Sequence, residues 1–191
     1  MTDDSRHEAL SAELYTEADI AVPKKEIHTL TPRELSEIIL QIVNIEGPIH
    51  EDEIVVRVRK LWGLGRAGSR IQDAVGNATQ ALLSQKRCVR ADGFISISGV
   101  AARPRNREGV SSSSLRKPEF LPPTEVSAAI LILVEAGHGA RPNELLNAVA
   151  RFLGFSTTGA TLRIVIEDQV DRLLAENTLV LADGWLRKTG S

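Results

Sequence analysis

The sequence predicts an α+β, mostly helical fold on three observations. The chain aligns with itself without a gap, so that Pro32 falls on Pro123 and Gly93 falls on Gly184, 91 residues further on. Each copy contains three stretches whose apolar residues recur at helical spacing. Each copy ends with an Asp-Gly pair between two short strand-like runs, which is typical of a β-hairpin. Three helices and a terminal hairpin outline a winged helix, so we expect two tandem winged-helix domains.

The alignment keeps glycines and apolar positions in register. Gly63 and Gly68 fall on Gly154 and Gly159. About fifteen of roughly sixty aligned positions are identical, and most other apolar positions exchange with apolar ones. A shared register of this kind indicates a duplicated unit.

The first helix of the first copy has a clear start. Thr31 is expected at the N-cap, Pro32 at the first helical position, and Glu34 two residues later, which together form a capping box. The residues that follow form an apolar stripe at helical spacing. They are Leu35, Ile38, Ile39, Ile42 and Val43.

Two more helices and a hairpin complete each copy. "EGPIH" breaks the chain, and the acids of 51–53 open a second helix, which ends at Gly63. A third helix is expected from about Ser69 to Gln85, and "CVRADGFISIS" reads as strand, turn, strand. In the second copy we expect helices near 123–136, 142–153 and 160–176, with a hairpin turn at Asp183-Gly184.

These elements divide the chain into four segments. Residues 31–98 and 123–191 are the two winged-helix domains. Residues 99–122 are rich in Pro, Gly, Ser and Arg and lack periodicity, so we expect a flexible basic linker. Residues 1–30 are expected to be an acidic irregular tail, apart from a short helix near Glu8 to Tyr15.

Composition narrows the class of protein. The chain is 42% hydrophobic and 25% charged, which is ordinary for a globular protein. Its acidic beginning lacks the apolar stretch of a secretory signal, and its longest apolar run, 128–134, is too short to span a bilayer. Its one cysteine, Cys88, excludes an internal disulfide. We therefore expect a cytoplasmic protein without membrane contact.

No catalytic pattern is present in the sequence. "GLGRAGSR" resembles a phosphate-binding loop, but Ser69 and Arg70 follow Gly68 where that motif requires lysine. The four histidines are scattered and no Cys-x-x-Cys pair occurs. We expect no metal, no cofactor and no enzymatic activity.

Candidate binding residues concentrate at the third helix of the first copy. In a helix-turn-helix the N-terminal part of this helix approaches base edges, and flanking cations contact phosphates. The alternative is an ordinary solvated helix face. The expected nucleic-acid-binding residues are Arg66, Ser69, Arg70, Gln72 and Asn77 at the helix, Lys86, Arg87 and Arg90 at the hairpin, and Arg103, Arg105 and Arg107 in the linker.

The second copy differs in charge. Its third helix contains Glu167, Asp168 and Asp171, which phosphates would repel. Counted by segment, the formal charge is about −4 for 1–30, +1 for 31–98, +3 for 99–122 and −2 for 123–191. We expect the first copy and the linker to supply most of any nucleic-acid affinity.

Three quoted stretches resemble a known family. They are the "EGPIH" turn, the "RAGSRI" start of the third helix, and "RKPEFLPPTE" before the second copy. Together they are similar to the uncharacterised C-terminal region of large bacterial helicase-related proteins of superfamily 1, over about residues 26–190. That region has no assigned activity, so the resemblance implies a helicase or nuclease context and assigns no residue a role.

The sequence therefore favours a non-catalytic nucleic-acid-binding module, with DNA as the expected ligand, that serves a helicase or nuclease system. Duplex and single strand both remain open, as does the oligomeric state. The alternative is a protein-interaction module that docks a helicase motor or mediates oligomerisation. Salt dependence separates the two, because binding through several phosphates weakens steeply with salt.

Overall fold

The computed structural model describes residues 10–190, and these form six α-helices and seven short strands. The α+β, mostly helical class is confirmed. The helices are α1 (Pro32–Glu46), α2 (Glu51–Leu61), α3 (Ser69–Ser84), α4 (Pro123–Ala136), α5 (Pro142–Phe152) and α6 (Ala160–Ala175). The strands are β1 (Glu13–Leu14), β2 (Ile49–His50), β3 (Cys88–Ala91), β4 (Phe94–Ile97), β5 (Arg105–Asn106), β6 (Leu179–Ala182) and β7 (Trp185–Lys188).

The first compact unit comprises residues 16–102 and 110–123. It contains α1, α2 and α3, followed by a hairpin of β3 and β4, and β2 adds to the outer side of β4. The predicted capping box of α1 is confirmed, since Thr31 Oγ1 accepts a hydrogen bond from Glu34 N, and Thr31 N donates to the Glu34 carboxylate at 2.8 Å. Its core is aliphatic. Fully buried members are Ile39, Ile42, Val58, Leu82 and Ile95.

The second compact unit comprises residues 103–109 and 124–190, together with residues 10–15. It contains α4, α5 and α6, followed by a hairpin of β6 and β7. Ala140 forms a single bridge with Leu186, at the position that β2 takes in the first unit. The short strands β1 and β5 pair in parallel. The core of this unit is again mainly aliphatic. Fully buried members are Ile130, Val149, Leu153, Leu162, Ile166 and Leu186.

The element bounds follow the sequence repeat. α2 starts at Glu51 and α5 at Pro142, and α3 starts at Ser69 and α6 at Ala160, each pair 91 residues apart. Both strands of the two hairpins keep the same offset. Left-handed backbone conformations recur as well, with Asp92 and Asp183 at φ 51° and 53° in the hairpin turns. The predicted Asp-Gly hairpins are therefore present in both units.

The segments predicted to be a flexible linker and an irregular tail are largely parts of the two folded units. Residues 103–109 belong to the second unit and 110–123 to the first, so the predicted flexible linker is divided between two folded units. Residues 16–30 likewise belong to the first unit. The helix expected near Glu8 to Tyr15 is not formed over residues 10–15, where Glu13–Leu14 is a strand. Residues 1–9 lie outside the described chain.

Candidate nucleic-acid interface

The turn between α2 and α3 is held by side chains from both helices. Arg59 Nη1 donates to the carbonyl oxygens of Leu64, at 3.3 Å, and of Gly65. From α3, Gln72 Nε2 donates to Ala67 O at 3.2 Å. Because loop carbonyls are fixed from two directions, the turn has a defined conformation. Gln72 is thereby occupied in holding the turn, in addition to its predicted role at the interface.

An exposed polar face begins at this turn and continues along α3. Arg66 lies in the turn, and Ser69, Arg70 and Asn77 lie on the outer side of the helix, opposite the buried Val75. Within the described residues, neither Arg66 nor Arg70 has an ion pair or a side-chain hydrogen bond. Ser69, Arg70 and Asn77 thus share one side of α3, whereas Gln72 faces the α2 side together with Arg66. We call the exposed predicted residues around the start of this helix the α3 face (Arg66, Ser69, Arg70, Gln72 and Asn77).

A groove of about 730 Å³ runs between α2 and α3 beside the α3 face. Val55 and Arg59 line it from α2, and Arg66 and Gln72 line it from the turn and α3. The groove thus has an apolar floor and a cationic rim, with Asp52 as the acidic group at the α2 end. This arrangement can accept an anion next to the start of α3.

The cations of the first hairpin are mostly paired. Arg87 contacts both carboxylate oxygens of Glu37, and this hydrogen-bonded pairing lowers the pKa of Glu37 and raises that of Arg87. Arg90 Nη2 lies 2.9 Å from Glu51 Oε2. Lys86 is exposed and adopts a left-handed conformation, with φ 57°. Of the three predicted hairpin cations, Lys86 is the one with no ion pair among the described residues.

Two of the three linker arginines are not available to follow a nucleic-acid backbone. Arg105 is 8% exposed and Arg107 1%, and both form ion pairs with the fully buried Glu125. Their guanidinium carbons lie 4.4 Å and 5.1 Å from the centroid of the Tyr15 ring. The prediction that they contact phosphates needs correction, because they are neutralised inside the second unit. Arg103 is exposed, as that role requires.

A second buried charge cluster was not found from the sequence. Arg57, 1% exposed, donates to both carboxylate oxygens of Glu46 and to Glu17. Burial alone would raise the pKa of Glu17, but hydrogen bonds from Lys60, Ser111 and Ser112 outweigh it and lower the pKa to about 2. This cluster attaches residues 16–30 and 110–123 to the three helices.

The corresponding face of α6 is acidic. Glu167, Asp168 and Asp171 are all exposed, and Arg163 pairs with Glu167 at 3.4 Å. Arg172 pairs with Glu176 at 3.0 Å. The two basic residues of α6 are thus compensated within the helix, and its surface offers no unpaired cation of the kind found on α3.

The described residues also bear on metal binding, membrane crossing and thiol reactivity. They contain no group of three or more His, Cys, Asp or Glu side chains placed to hold a metal ion. Over the same part of the chain, the helices are too short or too polar to cross a bilayer. Burial raises the pKa of the Cys88 thiol, which disfavours its reactive thiolate.

Part of the chain is similar to a known protein family. Residues 26–73 match the model of a family described as a protein of unknown function, DUF3320. No curated protein and no solved structure matches the chain significantly. The matched segment extends from before α1 into α3 and includes Arg66, Ser69, Arg70 and Gln72. It covers most of the α3 face but not the hairpin or the second unit.

Proposed function

We propose that the chain is a non-catalytic DNA-binding module in which two winged-helix units have different tasks. The first unit binds nucleic acid through the α3 face. Each unit has the helix and hairpin order expected of a winged helix, and in that fold the third helix enters the major groove. The observation that carries the proposal is the pair of exposed, unpaired arginines, Arg66 and Arg70, at the start of α3.

The chemistry of this face suits a duplex groove. Arginine binds guanine bidentately and phosphate equally well, and asparagine and glutamine suit adenine. Arg70 and Asn77 point outward about two turns apart on one helix side, while Arg66 precedes them in the fixed turn. Within the first unit, Lys86 supplies exposed charge for a phosphate contact. Arg87 and Arg90 would contribute only after exchanging their carboxylate partners for phosphate.

The test is a comparison of two double variants of the full chain. Arg66→Ala/Arg70→Ala removes two unpaired cations of the α3 face, and Arg163→Ala/Arg172→Ala removes the same charge from α6. We expect the first variant to lose affinity for a labelled DNA duplex by on the order of tenfold or more, because one base-edge contact is worth about 1–3 kcal/mol. The second variant should bind like the parent.

Measuring DNA affinity at two salt concentrations shows whether the lost contacts were made to phosphates. Phosphate contacts make the logarithm of affinity fall linearly with the logarithm of salt concentration, and removing them makes this slope shallower. Equal losses in the two variants, or a larger loss in the α6 variant, would overturn the assignment to α3. Circular dichroism and thermal unfolding of each variant serve as folding controls.

A second candidate function is protein docking by the second unit. Ile164 is 56% exposed on α6, and its neighbours one turn along are Glu167 and Asp168. An exposed isoleucine among carboxylates suits a partner with aliphatic and basic side chains. If the parent chain shows no measurable DNA binding at low salt, this reading replaces the first.

The biological context is a proposal of its own. The resemblance to helicase-related proteins suggests that a helicase or nuclease is the functional partner, and an adjacent reading frame for one would support this. The absence of catalysis is tested directly by assaying the purified chain for ATP hydrolysis and DNA cleavage. An activity that co-elutes with the protein and is abolished by a point substitution would contradict it.

A further inference from the structure

The second unit contains a cationic surface away from the acidic α6 face. It is formed by Arg141 at the N-cap of α5, by His138 in the turn before it, and by Trp185 and Arg187 of β7. We call these four residues the Arg141 face. A groove of about 620 Å³ opens beside it, lined in part by His138, Arg187 and Lys188.

The backbone fixes these side chains relative to one another. Ala140 and Leu186 exchange two hydrogen bonds, of 3.0 Å and 2.8 Å, which join the turn before α5 to β7. A Cβ atom added at Gly139 would lie 3.3 Å from Cγ of Arg187 and 3.6 Å from Cε3 of Trp185. The glycine therefore lets both side chains pack directly over the turn. On the indole, the guanidinium carbon of Arg141 lies 5.4 Å from the ring centroid.

The arginines of this face are available for a ligand. Within the described residues, neither Arg141 nor Arg187 has an ion pair or a side-chain hydrogen bond, and both are exposed. Lys188 is paired with Glu135 at 2.9 Å, and Glu144 lies one turn further along α5. A guanidinium that stacks on an aromatic ring keeps its N–H edge free, and that edge matches phosphate bidentately.

In the first unit, the surface equivalent to the Arg141 face is covered by aromatic side chains. There the positions of Arg141 and Trp185 are taken by His50 and Phe94, whose ring centroids lie 5.3 Å apart. Phe120 covers His50 with a centroid distance of 4.6 Å, and His50 Nδ1 accepts a hydrogen bond from Asp52 N. Ser96 stands where the second unit has Arg187. At this surface the second unit has the exposed arginines, whereas between α3 and α6 it is the first unit that has the unpaired arginine within the described chain.

We infer that the Arg141 face is a second nucleic-acid contact, which binds backbone phosphates without reading bases. This inference rests on the proposed function in taking DNA as the ligand. It assigns the second unit a binding role through its hairpin side, whereas the sequence alone pointed only to an acidic helix. An acidic polypeptide is the competing ligand that the same arginines could accept, and the experiment includes it.

The test uses the full chain and a labelled DNA duplex. In Arg141→Ala/Arg187→Ala we expect affinity to fall several-fold, and the slope of log affinity against log salt to become shallower by about two, since each phosphate contact contributes about 0.9. Arg163→Ala/Arg172→Ala is the matched control with the same charge change in the same unit, and it should leave both quantities unchanged. Arg141→Lys/Arg187→Lys should recover most of the affinity, because the charge is restored.

Each other outcome has a defined meaning. If Arg141→Ala/Arg187→Ala binds like the parent while Arg66→Ala/Arg70→Ala loses affinity, the inference is wrong and the proposed function stands. If the reverse holds, the Arg141 face is supported and the assignment to α3 fails. Competition by polyglutamate as effective as that by unlabelled duplex at equal ionic strength would identify an acidic polypeptide site instead. A parent chain that does not bind DNA at low salt overturns both proposals.

Discussion

α3 and α6 occupy equivalent positions in the two units and bury equivalent residues, yet their exposed faces differ in charge. Val75 and Leu82 of α3 are matched by Ile166 and Leu173 of α6, and all four are buried. On the outer face, however, Asn77 and Gln80 of α3 are replaced by Asp168 and Asp171, while the exposed Asp73 is replaced by Ile164. At these positions one aliphatic residue replaces another, because close packing and exclusion of water constrain the core. The exposed positions are not constrained in this way, so their charge can differ between the two units and suit different ligands.

The same contrast exists for two glutamates at equivalent positions. Glu34 is partly exposed and completes the capping box of α1. Glu125, its counterpart in α4, is fully buried and pairs with Arg105 and Arg107. A position that serves a local helix end in one unit therefore anchors residues 103–109 in the other. The segment that packs against the glutamate, rather than its position in the helix, decides which of these roles the carboxylate takes.

The largest expected effect separates these two glutamates. Glu125→Gln removes the buried carboxylate that pairs with Arg105 and Arg107, and breaking a buried ion pair from one side costs about 3–5 kcal/mol. Glu34→Gln should cost much less, since its carboxylate is partly solvated. The stability of each unit is measured by chemical denaturation, followed through the fluorescence of a single tryptophan. Trp62 reports on the first unit and Trp185 on the second, with the other tryptophan replaced by Phe in each case. Equal losses of stability would show that the buried cluster is not what holds residues 103–109.

Gly63 and Gly154 give a matched test of the same attachment. Both have positive φ, 64° and 88°, so alanine at either site is strained by about 1–2 kcal/mol. At Gly63 an added Cβ meets nothing within 4 Å, but at Gly154 it would lie 2.6 Å from the backbone nitrogens of Arg107 and Glu108. We expect Gly154→Ala to lower the free energy of unfolding of its unit distinctly more than Gly63→Ala lowers that of the first. Identical losses would contradict the close approach of residues 103–109.

A smaller effect concerns acid sensitivity of the first unit. The pKa of Glu17 is lowered from 4.5 to about 2, so its stabilising contribution is complete above about pH 4.5 and is lost as pH falls toward 2. Glu17→Gln should therefore be less stable than the parent near neutral pH, and the difference should shrink between pH 5 and pH 3. Unfolding followed through Trp62 measures this. A difference that stays constant with pH would rule out the ionised carboxylate of Glu17, with its hydrogen bonds from Lys60, Ser111 and Ser112, as its source.

The smallest expected effect concerns the acids of α6. Glu167→Gln/Asp168→Asn makes its surface resemble that of α3, and we expect DNA affinity to change by less than about twofold, because exposed charges that do not face the ligand are largely screened. Fluorescence anisotropy of a labelled duplex at physiological salt is sufficient. A tenfold gain would mean that α6 faces DNA as α3 does, and would place the second unit's contact there instead of at the Arg141 face.

Local patterns predicted much of the fold. The capping box of Thr31 and Glu34 and the Asp-Gly turns depend on residues close in sequence, so each could be read directly. The α3 face was predicted for the same reason, since helical periodicity separates Arg70 from the buried Val75. The role of Arg59 in fixing the turn was missed, because an arginine on an amphipathic helix gives no signal of which carbonyl it will contact.

The linker was the least predictable part. Its prolines, serines and arginines indicated a solvated chain, but Arg105 and Arg107 are buried against Glu125, and Ser112 and Ser114 donate hydrogen bonds to the buried Glu53. Composition reports the average tendency of a segment to be exposed. A buried carboxylate elsewhere in the fold can reverse that tendency for an individual arginine, because the attraction between the two charges offsets part of their desolvation.

By itself, then, the sequence determined the duplication, the order of helices and hairpin in each unit, and the aliphatic cores, because periodicity and turn chemistry are local properties. Only the tertiary structure decided which charges are free. Arg66, Arg70, Arg141 and Arg187 remain exposed and unpaired within the described residues, whereas Arg57, Arg105 and Arg107 are neutralised by carboxylates distant in sequence. The availability of a charge depends on its neighbours in space, which the order of residues does not reveal.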